Sequence, residues 1–249
     1  MSETVVPEQR GRLRAAIFDV DGVLVASPHE RAWREALDGY ADPARFTTEF
    51  YQAHVAGKPR LDGARATLEG LGVADAATRA PEYAAKKQAL IDRLIAEGSF
   101  EAFPDAVRFA AALHATGLRL ALASSSKNVA AMMRRLSLPD GRALLSIFAA
   151  DLSGADVPRG KPDPALFLLA ARALNTLPAQ SLVIEDAPAG ITAARAGGMA
   201  SVGVARLGDE ALLRAAGADL VVTSLDQVDT GCVPEGRLRT RSEIETPHP

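Results

Sequence analysis

Four short stretches carry the residues best suited to chemistry. Asp19 and Asp21 stand two apart just before Gly22, and Ser124 opens the run Ser124-Ser125-Ser126-Lys127-Asn128. Lys161 sits in Gly160-Lys161-Pro162-Asp163-Pro164, and Glu185 adjoins Asp186. Carboxylates drawn to one point repel each other unless a cation lies among them, and an oxygen-only donor set suits Mg²⁺. A lysine and a serine hydroxyl beside such a centre supply the charge and the donor that a phosphate needs. A carboxylate nucleophile in that company points to phosphoryl transfer through an aspartyl phosphate. Each piece alone has an ordinary explanation: D-x-D-G recurs in turns, Ser124 could cap a helix, Lys161 could be a solvated loop lysine, and Glu185 a surface acid. Together they favour the chemical reading.

These residues can cooperate only if the fold collects them. Residues 13–18 form a short apolar run ending at acids and a glycine, which is the pattern of a buried parallel strand. After residue 104 apolar runs at 118–123, 147–150, 182–184, 200–204 and 220–222 alternate with helical stretches at 105–116, 128–136, 163–174 and 189–196. That alternation predicts an α/β fold, a Rossmann-like doubly wound parallel sheet. In such sheets ligands bind outside the carboxyl ends of the strands, where all four stretches fall. Between residues 27 and 98 only helical spacing is found. Ser27-Pro28-His29-Glu30 reads as a capped helix start, Asp42-Pro43 as the start of a second helix through His54, and residues 61–71 and 80–95 as further helices. The expected organisation is an α/β catalytic core at 12–26 and 99–229, an inserted all-helical cap at 27–98, and tails at 1–11 and 230–249, the last of loosely ordered composition.

Composition narrows the function. The chain has 249 residues, and 28 basic against 31 acidic side chains give a formal net charge of -3, with no basic footprint for nucleic acid. No apolar run approaches the roughly 20 residues of a membrane span. The first residues lack the order of a signal peptide, so a cytoplasmic protein is expected. One cysteine, Cys232, allows neither an intrachain disulfide nor a multi-cysteine metal site. His54, His114 and His248 belong to no constellation, and Trp33 reads as packing.

The ordered set Phe18-Asp19-Val20-Asp21-Gly22-Val23, Ser124, Gly160-Lys161-Pro162-Asp163-Pro164 and Ile184-Glu185-Asp186-Ala187-Pro188-Ala189-Gly190 resembles the four motifs of the haloacid dehalogenase superfamily. That resemblance implies Asp19 as nucleophile and Asp21 as general acid/base, with the Asp21 main-chain carbonyl also a metal ligand. It implies Asp186 as a further ligand, Glu185 as a direct or water-mediated one, and Ser124 and Lys161 as holders of the transferring phosphoryl, with Mg²⁺ as cofactor. Residues 121–128 and the helical insert resemble most closely the β-phosphoglucomutase branch. There Ser126, Lys127 and Asn128 grip the distal phosphate of a bisphosphorylated intermediate. His29, Arg60 and Lys87 match residues of that branch's cap that face the substrate. Lys58-Pro59 stands where that branch usually has Val-Ser, and Gly63 where it often has Ser. The expectation is a monomeric sugar-phosphate mutase acting on a small phosphorylated metabolite, with a phosphatase on the same machinery as the alternative.

Overall fold

The computed structural model describes residues 11–243. Among them six strands form one parallel sheet: β1 (Ala15–Phe18), β4 (Arg119–Leu122), β5 (Ala150–Asp151), β6 (Ser181–Glu185), β7 (Ala200–Val204) and β8 (Leu220–Val222), in the order β5-β4-β1-β6-β7-β8. The small ribbon pairs β2 (Val25–Ala26) with β3 (Glu101–Ala102), antiparallel. Both faces of the sheet are buried, which is why β1 reads as an unbroken apolar run. Ala16, Phe18, Leu120, Leu122, Leu182 and Ile184 pack against α5 (Pro104–Ala115) and α6 (Val129–Met133). Ala15, Ile17, Ala121 and Val183 pack against α7 (Ala165–Ala173) and α8 (Pro188–Ala196). Helix α9 (Glu210–Ala216) adds Leu213 against Ile191. Burying a side chain such as Phe18 contributes ~1.5–3 kcal/mol, so the central strand is held firmly.

Strand β1 leads out to β4 and β5 on one side, and the chain then returns to β6 on the other. The crevice where the strand order reverses therefore opens beside the carboxyl end of β1, at Asp19. Ladder bonds pin that point: Asp19 N–H donates to Ile184 O at 3.0 Å, and Ala123 N–H to Phe18 O at 2.8 Å.

Between β2 and β3 run four helices, α1 (His29–Ala36), α2 (Thr48–His54), α3 (Arg60–Gly70) and α4 (Ala76–Ala96). They enclose a hydrophobic cluster of their own around Trp33, Leu37, Phe46, Leu68 and Tyr83. Ala32, Ile91, Leu94 and Ile95 instead join the cluster on the sheet. Among the described residues no helix is long and apolar enough to cross a membrane.

Several local expectations need correction. Ser27 does not cap α1, whose first residue His29 follows Pro28 without a side-chain cap; the Ser27 hydroxyl turns to Asp21 instead. The helix expected from Asp42 is split. A 3-10 turn Pro43–Arg45 is capped by Asp42, and α2 begins afresh behind Thr47, whose hydroxyl accepts from Phe50 N–H at 3.1 Å. Two competing caps five residues apart explain the break. Residues 144–147 form a 3-10 turn, which shortens the third sheet strand to Ala150–Asp151. The ribbon β2–β3 was invisible, because two-residue strands carry no periodicity. Residues 230–243 are not loose: Val233 is fully buried in the main cluster, and Leu13 N–H donates to Pro234 O at 3.0 Å. Residues 1–10 and 244–249 lie outside the described residues.

Candidate active site

Lys161 is the hub of the sheet-edge chemistry. Its ammonium, wholly buried, donates to Asp19 Oδ1 at 2.6 Å and to Glu185 Oε1. Those two carboxylates hold the lysine charged and push its pKa above the usual value, against the effect of burial. The other Glu185 oxygen accepts the N–H groups of Asp186 and Ala187, each at 3.0 Å. Helix α8 can approach this carboxylate because residue 190 is glycine; a Cβ there would lie 1.8 Å from Glu185 Oε1. Glu185 is thus fully engaged by protein, and Asp186 is not: among the described residues its carboxylate has no hydrogen-bond donor.

Oxygen atoms of Asp19, Glu185 and Asp186 all lie within 4.8 Å of one another. Burial first, then repulsion from Glu185 and Asp21, raises Asp19 to about 7 even with Lys161 opposing. Burial and the charges of Glu185 and Asp19 likewise hold Asp186 well above the ordinary carboxylate range. One ammonium does not balance this cluster. Hard oxygen donors in negative excess, with no histidine or thiol among them, fit a small divalent cation such as Mg²⁺. Gly22, at φ +81°, turns the chain tightly past this point, where a Cβ would sit 1.9 Å from Asp186 Oδ2.

Asp21 faces the helices. His29 Nε2 stands 3.3 Å from Asp21 Oδ1, yet no donor is aligned on that buried oxygen. Burial would raise the Asp21 pKa, but His29, the Ser27 hydroxyl and Lys87 override it and hold the carboxyl at about 2. Lys87 Nζ approaches His29 Nδ1 at 2.5 Å and lies 4.9 Å from the Trp33 ring centre. Burial depresses Lys87 to about 7 and also lowers His29. With Lys87 on Nδ1, a neutral imidazole carries its proton on Nε2, facing both Asp21 and Ser126 Oγ, the latter at 3.3 Å. Ser124, at the end of the β4 strand, contacts Asp21 Oδ2 at 3.4 Å and accepts from Ser126 N–H at 3.1 Å.

A cavity of about 330 Å³ joins these groups. Every site residue expected from the sequence lines it except Lys161 and Glu185, which sit beneath Asp19. Arg60, exposed at the start of α3, bonds to Gln88 Oε1, and Gln88 Nε2 donates to Asn128 Oδ1 at 2.9 Å across to the sheet side. Ser125 Oγ donates to Gly57 O at 3.1 Å, and a Cβ at residue 160 would lie 2.0 Å from Pro59 Cγ. The loop 57–60 therefore closes directly on the sheet edge. Lys127 lines the cavity but is otherwise exposed. Gln88 and Tyr51 line it too and were not foreseen. Gln88 follows Lys87 on α4, and Tyr51 falls among the aromatic residues of α2, so neither carried a signal beyond helix packing.

The parallel sheet with its four motifs at one edge is the architecture of a phosphoryl-transfer enzyme of the haloacid dehalogenase type. The family model described as haloacid dehalogenase-like hydrolase matches residues 13–198, and the chain belongs to that family. It is 34% identical over 254 residues to a β-phosphoglucomutase of Mycobacterium tuberculosis, covering 89% of this chain and 96% of that protein. A phosphorylated carbohydrates phosphatase of Thermotoga maritima is 30% identical over 192 residues, covering 75% and 82%. The solved structure of a β-phosphoglucomutase from Clostridium difficile superposes with a TM-score of 0.72 at 27% identity, covering 90% of this chain and 96% of that one.

Proposed function

We propose that the protein is a Mg²⁺-dependent sugar-phosphate mutase that works through an aspartyl phosphate on Asp19, with residues 27–98 acting as a cap. The observation that carries this reading is the composition of the cavity beside Asp19. It joins the Asp19–Asp21 pair to a second set of cationic and polar side chains, Arg60, Ser126, Lys127 and Asn128, whose chemistry suits a phosphate, under a closed loop. A hydrolase acting on a small ester needs only the first set.

In this reading Lys161 orients Asp19 for attack on phosphorus and, with the Ser124 hydroxyl, takes up charge on the phosphoryl oxygens. Asp21, ionised in the free protein, accepts the proton of the attacking sugar hydroxyl and returns it to the leaving oxygen in the reverse step. Lys87 and His29 orient that carboxylate and dry its surroundings. Asp19, Asp186 and the main-chain carbonyl of Asp21 would hold Mg²⁺, which when bound neutralises carboxylate and phosphoryl charge. Glu185 acts by fixing Lys161. Closing 57–60 over the substrate excludes water, so that the phosphoryl passes to a hydroxyl and the intermediate bisphosphate returns its other phosphate. Arg60 is suited to that distal group because its planar fork pairs with phosphate oxygens bidentately.

The test is a panel of sugar phosphates assayed for both isomer and free phosphate, with wild type and Arg60→Ala. The mutase reading expects isomer formation, depressed at least about tenfold in the variant, with hydrolysis of a small generic ester nearly unchanged. Rapid phosphate release without isomer, indifferent to Arg60→Ala, would establish the phosphatase, the activity named for the Thermotoga relative.

A further inference from the structure

Arg206 lies outside the cavity, in the turn after β7, and no motif singles it out. Its side chain is 13% exposed, and its guanidinium bridges two separate segments, 22–23 and 103–105. Nε donates to Gly22 O at 3.3 Å and Nη2 to Val23 O at 3.2 Å, both in the turn that follows Asp21. Nη1 donates to Asp105 Oδ2 at 2.9 Å. Its plane covers the Phe103 ring at 3.9 Å. Asp105 is anchored in turn: the same oxygen accepts from Ser224 Oγ at 2.9 Å and Leu225 N–H at 2.8 Å. Phe103 closes the circle, its N–H donating to Leu24 O at 2.9 Å where the chain returns from the helices to the sheet.

We infer that Arg206 is a positioning residue: it clamps the 22–23 turn and thereby fixes Asp21 relative to Asp19, while tying that turn to the hinge through which the helices rejoin the sheet. The physical ground is that Leu24 and Val25 are pinned by their N–H groups to Val20 O, and Val23 and Leu24 by burial in the core, while the side-chain donor to the carbonyls of residues 22 and 23 is Arg206. Gly22 sits in the left-handed region that favours glycine, and its own N–H bonds only within the turn, to Val25 O. Val23 is fully buried and Gly22 partly so, and one rigid fork supplies donors to both carbonyls. Lysine, a single point donor, cannot reach both carbonyls, the Asp105 carboxylate and the Phe103 face at once. Misplacing a catalytic group by about 1 Å costs on the order of 100-fold in rate.

The inference rests on Asp21 being the general acid/base, and leaving-group chemistry separates the two questions. Nitrophenolate departs without protonation, whereas a sugar or alkyl alkoxide needs an acid. On p-nitrophenyl phosphate kcat/KM reports formation of the aspartyl phosphate, which needs no proton from Asp21. Transfer of that phosphoryl to a hydroxyl of glucose 6-phosphate needs the ionised Asp21 as base, so the pair isolates the contribution of Asp21. Asp21→Asn, Arg206→Gln and Arg206→Lys are measured with both substrates, and folding is followed by thermal unfolding. The expected result is a loss of about 10- to 100-fold on glucose 6-phosphate for Arg206→Gln, less than about threefold on the aryl ester, and a smaller loss for Arg206→Lys. Equal losses on both substrates would reduce Arg206 to a merely structural residue, and no loss on either would remove its role. If Asp21→Asn itself fails to discriminate between the substrates, the acid/base assignment falls, and the positioning inference with it.

Discussion

Asp19→Asn should make the metal-free protein more stable at neutral pH while abolishing turnover. Asp19 is 4% exposed and lies within one cluster with Glu185 and Asp186, facing a single ammonium. Its pKa rises from an ordinary 3.8 to about 7, with burial as the largest cause. A carboxylate with a raised folded-state pKa is best tolerated below its unfolded value, where it is protonated in both states. As pH climbs from about 4 to about 7 the unfolded chain releases this proton and the folded one retains it, so folding stability falls across that window. At about 1.4 kcal/mol per pH decade, the rise from 3.8 to about 7 amounts to at most about 4 kcal/mol above pH 7. Asparagine has nearly the same shape, still offers an oxygen to Lys161, and carries no charge. The variant should therefore match the wild type near pH 4 and gain about 2–4 kcal/mol by pH 7.5, or roughly 5–10 °C in the unfolding midpoint. His29 and Lys87, which also titrate abnormally, are common to both proteins and largely cancel in the difference. Thermal unfolding of both proteins in EDTA at pH 4, 5.5 and 7.5 is the assay. A stability difference independent of pH, or a variant weaker than wild type at pH 7.5, would refute the argument that crowded carboxylate charge dominates this site.

Two further outcomes follow from the same cluster. Chelation should abolish activity and Mg²⁺ restore it, and saturating Mg²⁺ at 100 times its dissociation constant should stabilise wild type by about 2.7 kcal/mol at pH 7.5; full turnover after exhaustive metal removal would contradict this. Gly22→Ala should lose turnover at least about 100-fold, because its Cβ would displace the Asp186 carboxylate from 1.9 Å in addition to the left-handed strain of about 1–2 kcal/mol. Gly39→Ala has a similar φ of +83° and nothing within 4 Å, so it should lose only the strain and keep its kcat. Equal kinetic damage from the two alanines would mean that the close approach at Gly22 is unimportant.

The local sequence carried much of this protein. A strand buried on both faces must be apolar throughout, so 13–18 announced the central strand. Such strands end in crevices, so acids and a hydroxyl at their carboxyl ends announced the candidate groups Asp19, Asp21, Ser124, Glu185 and Asp186, and the Gly-Lys-Pro run announced Lys161. What the tertiary structure alone decided are relations between distant segments, which have no period and no local propensity. Glu185 is occupied by Lys161 and two N–H groups, so the negative excess falls on Asp19 and Asp186. Arg60 and Asn128 meet through Gln88, 28 and 40 residues away from it respectively. Arg206 reaches back 184 residues to the turn after Asp21. Residues 230–243 looked polar enough to be loose, but burying Val233 and Cys232 needs only two side chains and a gap in the sheet's cover to receive them. Hydrophobic periodicity records which face of an element is buried; it does not record which polar atoms the packing of those faces brings within bonding distance.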